Sequence, residues 1–218
     1  IEWGIELKQL DNQYGVPPGA HGHAHGHEHE EEAVEEEAEE FVRIDLEQQD
    51  FQSFLRLDNP TSFLDSLEIE LAVSEYEHTE IEIEDSIASL GTFFSKESTE
   101  FSVEAVHPLG NWQSYSGFSL TSDDFVAIGA EAFVPPSETS ALGVYWVQHR
   151  DFAKAIFEFG GRVDNQKIES TGISAIEASS VNLSASLLYP LGNETQVGVI
   201  LSRSERAPSA EELLADGE

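Results

Sequence analysis

Cysteine is absent from this chain, and so is methionine. Without cysteine there are no disulfides and no thiolate metal sites, a composition that suits an oxidising compartment where stray thiols are a hazard. Without methionine even at position 1, and with Ile1 opening inside an apolar/polar alternation, the chain reads as a piece of a longer polypeptide. Basic residues are scarce: 10 Lys and Arg stand against 43 Asp and Glu, a formal charge of -33. Such a polyanion excludes a nucleic-acid surface and favours cations as partners. No run approaches the roughly 18 to 20 apolar residues of a membrane helix, so a helical membrane protein is excluded. A membrane β-barrel is not, because alternating strands average out as polar.

What is present argues for a folded chain. Hydrophobic residues make up 39% and there are 13 Phe, 5 Tyr and 3 Trp, more than a disordered polyanion carries. The repeating element is a strand-like segment of period two. In LEIELAVSEYEHTEIEI, Leu67, Ile69, Leu71, Val73, Ile81 and Ile83 share one parity, and Glu68, Glu70, Glu80 and Glu82 take the other. The pattern recurs in FSVEAVH, VNLSASLLY and TQVGVILS, and IEWGIELKQL, FVRIDLEQQDFQSFLRL, NWQSYSGFSL, ALGVYWVQH and AIFEFGGRVDNQKIE bring the expected total to about nine strands. Only SAEELLADGE reads as helical, with Ser209 as a cap three residues before Glu212.

The links between these strands sort into two kinds. LDNPTSFLDS, HPLGN, HRDFAK and YPLGN are compact turns, alternating with longer links expected at 11 to 40, about 84 to 90, 122 to 139 and 165 to 177. Short at one end and long at the other is the arrangement of an outer-membrane barrel. Several segments are long enough to overshoot the roughly 9 to 11 residues needed to cross hydrocarbon and to continue as external ribbon. Trp112, Tyr115, Phe118, Trp146 and Tyr189 are suited to interfacial girdles, or to an ordinary β core.

Residues 21 to 32 read HGHAHGHEHEEE. Imidazole is a borderline-soft donor that suits zinc, copper, nickel and iron. In an extended chain His21, His23, His25, His27 and His29 project to one side about 6.6 to 6.8 Å apart, too far to share an ion without bending. The intervening Gly22, Ala24 and Gly26 make bending cheap. Glu28, Glu30 and the acids up to Glu40 add oxygen donors and a field that concentrates divalent cations. The expectation is a chelating arm whose capture weakens as pH falls through the histidine range near 6.5. Its rivals are a solvated low-complexity tract and a purification tag, although tags are seldom interleaved with Gly, Ala and Glu. His78, beside Glu75, Glu77 and Glu80, is a second candidate ligand or a satisfied strand histidine. Asp123 and Asp124 are read as opening a long loop, and His107 and His149 as structural residues at turns. No GxSxG, HExxH, P-loop or GxGxxG pattern is present, and an enzyme is not expected.

The C-terminal stretch SRSERAPSAEELLADGE resembles the place in TonB-dependent outer-membrane receptors where a strand ends in an Arg-Ala-Pro-Ser-x-Glu-Glu-Leu-like segment. Arg206, Ala207, Pro208, Ser209, Glu211, Glu212, Leu213 and Gly217 carry the match. DNQYGVPPGAH, YEHTEIE at 76 to 82 and DFVAIGAEAFVPPSETSALGVY at 124 to 145 are similar to the zinc-uptake branch of that family. The resemblance implies an all-β fold, a partial antiparallel transmembrane β-barrel of about nine strands over residues 1–218, with long external loops and a His/Glu-rich external loop at 17–40. It implies a bacterial outer-membrane receptor that transports a divalent transition metal, zinc first, working with lipid and with the TonB energy-coupling system through a plug domain outside these residues. The metal-ligand set expected is His21, His23, His25, His27, His29, Glu28, Glu30 and His78. The rivals are a siderophore or organometal receptor of the same class and a soluble acidic β-protein that buffers metal. The face taken by the apolar parity separates the last of these, since a barrel turns it outward and a sandwich buries it.

Overall fold

A computed structural model of the chain describes residues 1–16, 41–84, 87–129, 132–192 and 195–215. Nine strands follow one another: β1 (Glu2–Val16), β2 (Phe41–Thr61), β3 (Leu64–Glu84), β4 (Ile87–Leu109), β5 (Trp112–Gly129), β6 (Ser137–Phe152), β7 (Ala155–Ser170), β8 (Ile173–Pro190) and β9 (Gln196–Arg203). Each pairs antiparallel with the next, giving one sheet in the order β1 to β9. A short helix, α1 (Ala210–Leu214), follows.

All nine expected strands are present, and most are longer than their period-two signal. β4 has 23 residues and β2 and β3 have 21 each. The links expected at 84 to 90 and 165 to 177 are largely strand: β3 runs to Glu84 and β4 starts at Ile87, while β7 runs to Ser170 and β8 starts at Ile173. Gly172, at φ +82, provides the left-handed residue for the second of these turns. The link expected at 122 to 139 shrinks to 130–136, so Asp123 and Asp124 lie within β5 and open no loop. The physical reason is that a strand in water keeps its ladder hydrogen bonds without needing an oily face, so these stretches pair although they alternate poorly. The link 17–40 lies outside the described residues.

The register puts the oily parity on one face. Reading across the ladder, Trp3, Leu55, Ile69, Val103, Phe118, Val144, Val163 and Val181 form one continuous row. The rows beside it are largely apolar, holding Ile5, Leu71, Phe101, Leu120 and Leu142 on one side and Leu57, Leu67, Trp146 and Leu183 on the other. This band is open: Trp3 is 70% exposed, Val144 52% and Leu201 70%, and no described element covers it. A sandwich would bury these rows, so the buried-core arrangement of a soluble β-protein is not what the chain adopts.

The band has a sharp edge. On the same face, Gln9, Gln49, Glu75, Glu97, Asp124, Glu138 and Glu169 form the next-but-one row beyond Leu71 and Phe101. Five carboxylates directly opposite one another repel and cannot sit in hydrocarbon, so this row lies in water. The edge also descends across the sheet. On the band's side of the acidic row, the last oily residue of the outer face is Val73 on β3, Phe101, Leu120 and Leu142 one row nearer the tight turns on β4 to β6, and Val163 and Val181 two rows nearer on β7 and β8. Two rows are four residues, roughly 13 Å along a strand, as expected where tilted strands cross a level slab.

The other face is polar beside the band and apolar beyond it. The small core of the described residues, Val134, Ile168, Ala210 and Leu214 with Phe125 and Ile176 against it, lies there, where α1 folds back onto the sheet. Trp112, Phe118, Trp146 and Tyr189 share the outward parity, as a girdle requires, whereas Tyr115 has the opposite parity and faces inward.

Val144→Arg is therefore expected to destabilise the full-length protein in lipid vesicles by about 2 to 4 kcal/mol, although the site is open. Thr121→Arg, on the inner face of the neighbouring strand, is expected to cost less than half as much. Urea unfolding of both variants checks this; equal small losses would mean that the oily face meets water.

Candidate functional site

The inner face at the level of the band is a wall of charged and hydroxyl side chains. Glu104, Gly117 and Tyr145 stand in one row on β4, β5 and β6. A side chain at Gly117 would meet the Tyr145 ring at 2.7 Å and the Val103 carbonyl oxygen at 2.6 Å. Because nothing is there, the Tyr145 hydroxyl passes over β5 and donates to the Glu104 carboxylate. The same device recurs one strand along. Arg162 on β7 reaches over Gly143 on β6, where a Cβ would lie 2.1 Å from its guanidinium, donates to Ser119 Oγ at 3.0 Å, and pairs with Asp164 at 2.7 Å. Side chains that reach two strands away converge, as on the inside of a curved wall.

Acids outnumber bases on this wall. Glu68 and Glu70 project together from β3, with Arg56 3.5 Å from Glu68, and Asp123 pairs with Lys96 at 3.5 Å. Asp50 accepts hydrogen bonds from Ser74 at 2.6 Å and Gln48 at 3.1 Å. A passage lined by one sign of charge concentrates ions of the other, here cations. Sequence reasoning missed Tyr145, Arg162 and their two glycines; the signal available was the Gly-Gly pair of β7 and the lone glycines of β5 and β6 inside otherwise well-formed strands.

His78 lies on the inner face of β3, five residues beyond Val73 and so outside the oily band. Its ring stacks on Phe94 at 4.4 Å and meets Tyr76 edge-on at 5.4 Å. Burial among these rings lowers its pKa from the ordinary histidine value, favouring the neutral imidazole that can ligate metal. Nε2 is 4.0 Å from Glu80 Oε1, and buried Nδ1 has no hydrogen-bond partner. Glu75 and Glu77 have the outward parity, so they do not join His78. Among the described residues no three His, Asp or Glu side chains are grouped to hold a metal ion. His21, His23, His25, His27, His29, Glu28 and Glu30 lie outside the described residues. His107 is 3.2 Å from Ser116 Oγ, and His149 sits between Asp151 at 3.4 Å and Glu158 at 3.5 Å, structural positions near the tight turns.

The C-terminal segment forms one hydrogen-bonded unit. Ser209 caps α1, its hydroxyl accepting from Glu212 N at 3.3 Å while the Glu212 carboxylate accepts from Ser209 N at 2.9 Å. Arg206 donates to both Glu212 oxygens, at 2.8 and 2.6 Å. These bonds, Arg206 first, hold the Glu212 carboxyl at about 2, well below its ordinary value. Glu205 accepts from the Val181 backbone N–H at 3.0 Å, occupying a donor of β8 just where β9 has ended. Leu214 and Ala210, not Leu213, are the buried anchors.

A sheet with its oily face outward, its polar face inward and its strands long enough to leave the bilayer is a wall of an outer-membrane β-barrel, and places the chain in the bacterial outer membrane. No protein-family model matches the chain, and no curated protein matches it. Among solved structures it is similar in fold to the copper transporter OprC, with 9% sequence identity, a TM-score of 0.65 and coverage of 78% of this chain. The chain spans about a third of that protein, 34% of its length.

Because the Glu212 carboxyl is depressed by folding, its contribution is fully present above the ordinary value of 4.5 and is lost as pH falls through about 2. Hydrogen-exchange protection of residues 205–214 is expected to persist at pH 5 and to collapse between about pH 4 and 2. Arg206→Gln moves that collapse to higher pH.

Proposed function

We propose that this chain is part of the barrel of an outer-membrane importer for a divalent transition metal, zinc in our reading, captured by the His/Glu run before β2. One observation carries the reading. β1 ends at Val16 and β2 begins at Phe41, both at the strand ends beyond the acidic row, and the five alternating histidines lie in the sequence that joins them. In our reading that end of the sheet is the external one.

His21, His23, His25, His27 and His29 serve as interchangeable nitrogen ligands, with Glu28 and Glu30 completing the coordination. The ion then passes to the acidic inner wall, where Glu68, Glu70 and Glu104 keep it in a field of favourable sign. His78, neutral and flanked by Glu80, is a nitrogen ligand between the two. Copper, the ion in the name of the similar transporter, is the second cargo this donor set accepts, since imidazole binds both. Import past the barrel draws on the TonB system through a plug domain.

Replacing the five histidines by serine in the full-length receptor is expected to weaken zinc binding, measured by calorimetry, by at least on the order of tenfold, the loss typical even of outer-shell partners. Growth on limiting zinc should fall with it. The same titration with copper decides the cargo, and unchanged uptake at limiting metal would reduce the run to a solvated tract.

A further inference from the structure

Cations in this chain are few and almost all are paired. Eight of the ten Lys and Arg side chains have a carboxylate oxygen within 4.0 Å. Arg150 and Lys154 are the two for which, among the described residues, no such partner exists. Both lie at the junction of β6 and β7, Arg150 opposite Phe157 and Lys154 in the two-residue turn. In a chain with 43 acids this is a local exception to the prevailing charge.

Arg150 shares the outward parity of Val144 and Trp146. Its guanidinium carbon lies 4.7 Å from the Phe152 ring centroid and 5.4 Å from that of Trp112. Trp112 is itself wedged edge-on against Phe157 and Phe159, at 6.0 and 5.5 Å. The nearest acids on these strands, Asp151 and Glu158, have the opposite parity and flank His149 on the inner face. Thus the side of the sheet that meets lipid carries a guanidinium held by rings and turned away from every carboxylate of its own turn.

Its height is set by the band. From Leu142, the last oily residue of β6, to Arg150 is nine residues, the length a tilted strand needs to cross the hydrocarbon. With Leu142 at the external edge, Arg150 stands at the headgroup level of the opposite leaflet. A guanidinium offers five donors in a planar fork that matches phosphate oxygens, and stacking on rings leaves those donors free at its edge.

We propose that Arg150, steadied by Trp112 and Phe152 and joined by Lys154, binds the phosphate of a phospholipid in the periplasmic leaflet, whose acyl chains lie along Phe159 and Leu187. The site rests on the outward placement of this face and is independent of the metal carried.

The test uses the full-length receptor in dodecyl maltoside and phosphate-free buffer, titrated with phosphatidylglycerol brominated on its acyl chains. Saturable quenching of tryptophan fluorescence is expected, with the lipid retained in native mass spectra. Arg150→Gln with Lys154→Gln is expected to weaken half-saturation at least about tenfold, the size of one charge-assisted hydrogen bond. Arg150→Lys retains part of the binding, and Lys167→Gln, an outward cation paired with Glu169 at 2.7 Å, leaves it unchanged. Heat-modifiable gel migration reports that each variant is folded. On the unmodified receptor, brominated diacylglycerol, which lacks the phosphate, must bind at least about tenfold more weakly. Equal binding of the two lipids, full displacement by millimolar inorganic phosphate, or wild-type affinity in the folded double variant overturns the proposal.

Discussion

In hydrocarbon a backbone amide finds no water, so every strand that crosses must satisfy its donors and acceptors on its two neighbours. That requirement explains the simplest feature of the molecule, a meander in which each of the seven inner strands, β2 to β8, pairs with the one before it and the one after. Once the ladder is complete, side chains are sorted by solvent alone. Lipid takes the oily parity, and the polar parity is left to line the inside, the reverse of a soluble sheet. The row of carboxylates from Glu75 to Glu169 then marks where lipid gives way to water, since such a row is tolerable only under screening.

The inner wall follows from the same sorting. Freed from filling a core, its side chains are polar, and small residues let long ones cross between strands. Gly117 and Gly143 are the gaps through which Tyr145 reaches Glu104 and Arg162 reaches Ser119. The result is a bonded surface on which acids outnumber bases. Beyond the band the strands no longer meet lipid, and there the inner face turns apolar and acquires the small core of the described residues, closed by α1.

Several of these features could be read directly from the residues. The strand positions, the separation of greasy and polar residues onto opposite parities and the Ser209 cap with its Glu212 partner all depend on spacings of two or three residues, which a linear pattern records. The strands' full lengths could not be read that way. From Ile87 to Leu90, and again from Asn165 to Ser170, oily and polar residues stop alternating, so the stretch resembles a link although its amides remain paired. Asp123 and Asp124 were misplaced for that reason. Tyr115 was misplaced because aromatic character does not reveal parity. Of the candidate ligands, His78 is described with Phe94, Tyr76 and Glu80 around it, while the five alternating histidines and Glu28 and Glu30 lie in the link between β1 and β2, outside the described residues.

By itself the amino-acid order determined the class of element, its approximate number, the acidic field and the presence of a histidine-rich stretch, because each is a property of composition or of neighbours along the chain. Only the tertiary structure decided which residues share a row, where the lipid boundary crosses each strand, and which cations are left without an acid. Those are relations between strands tens of residues apart, and they exist only when antiparallel pairing brings distant side chains to the same face at the same height.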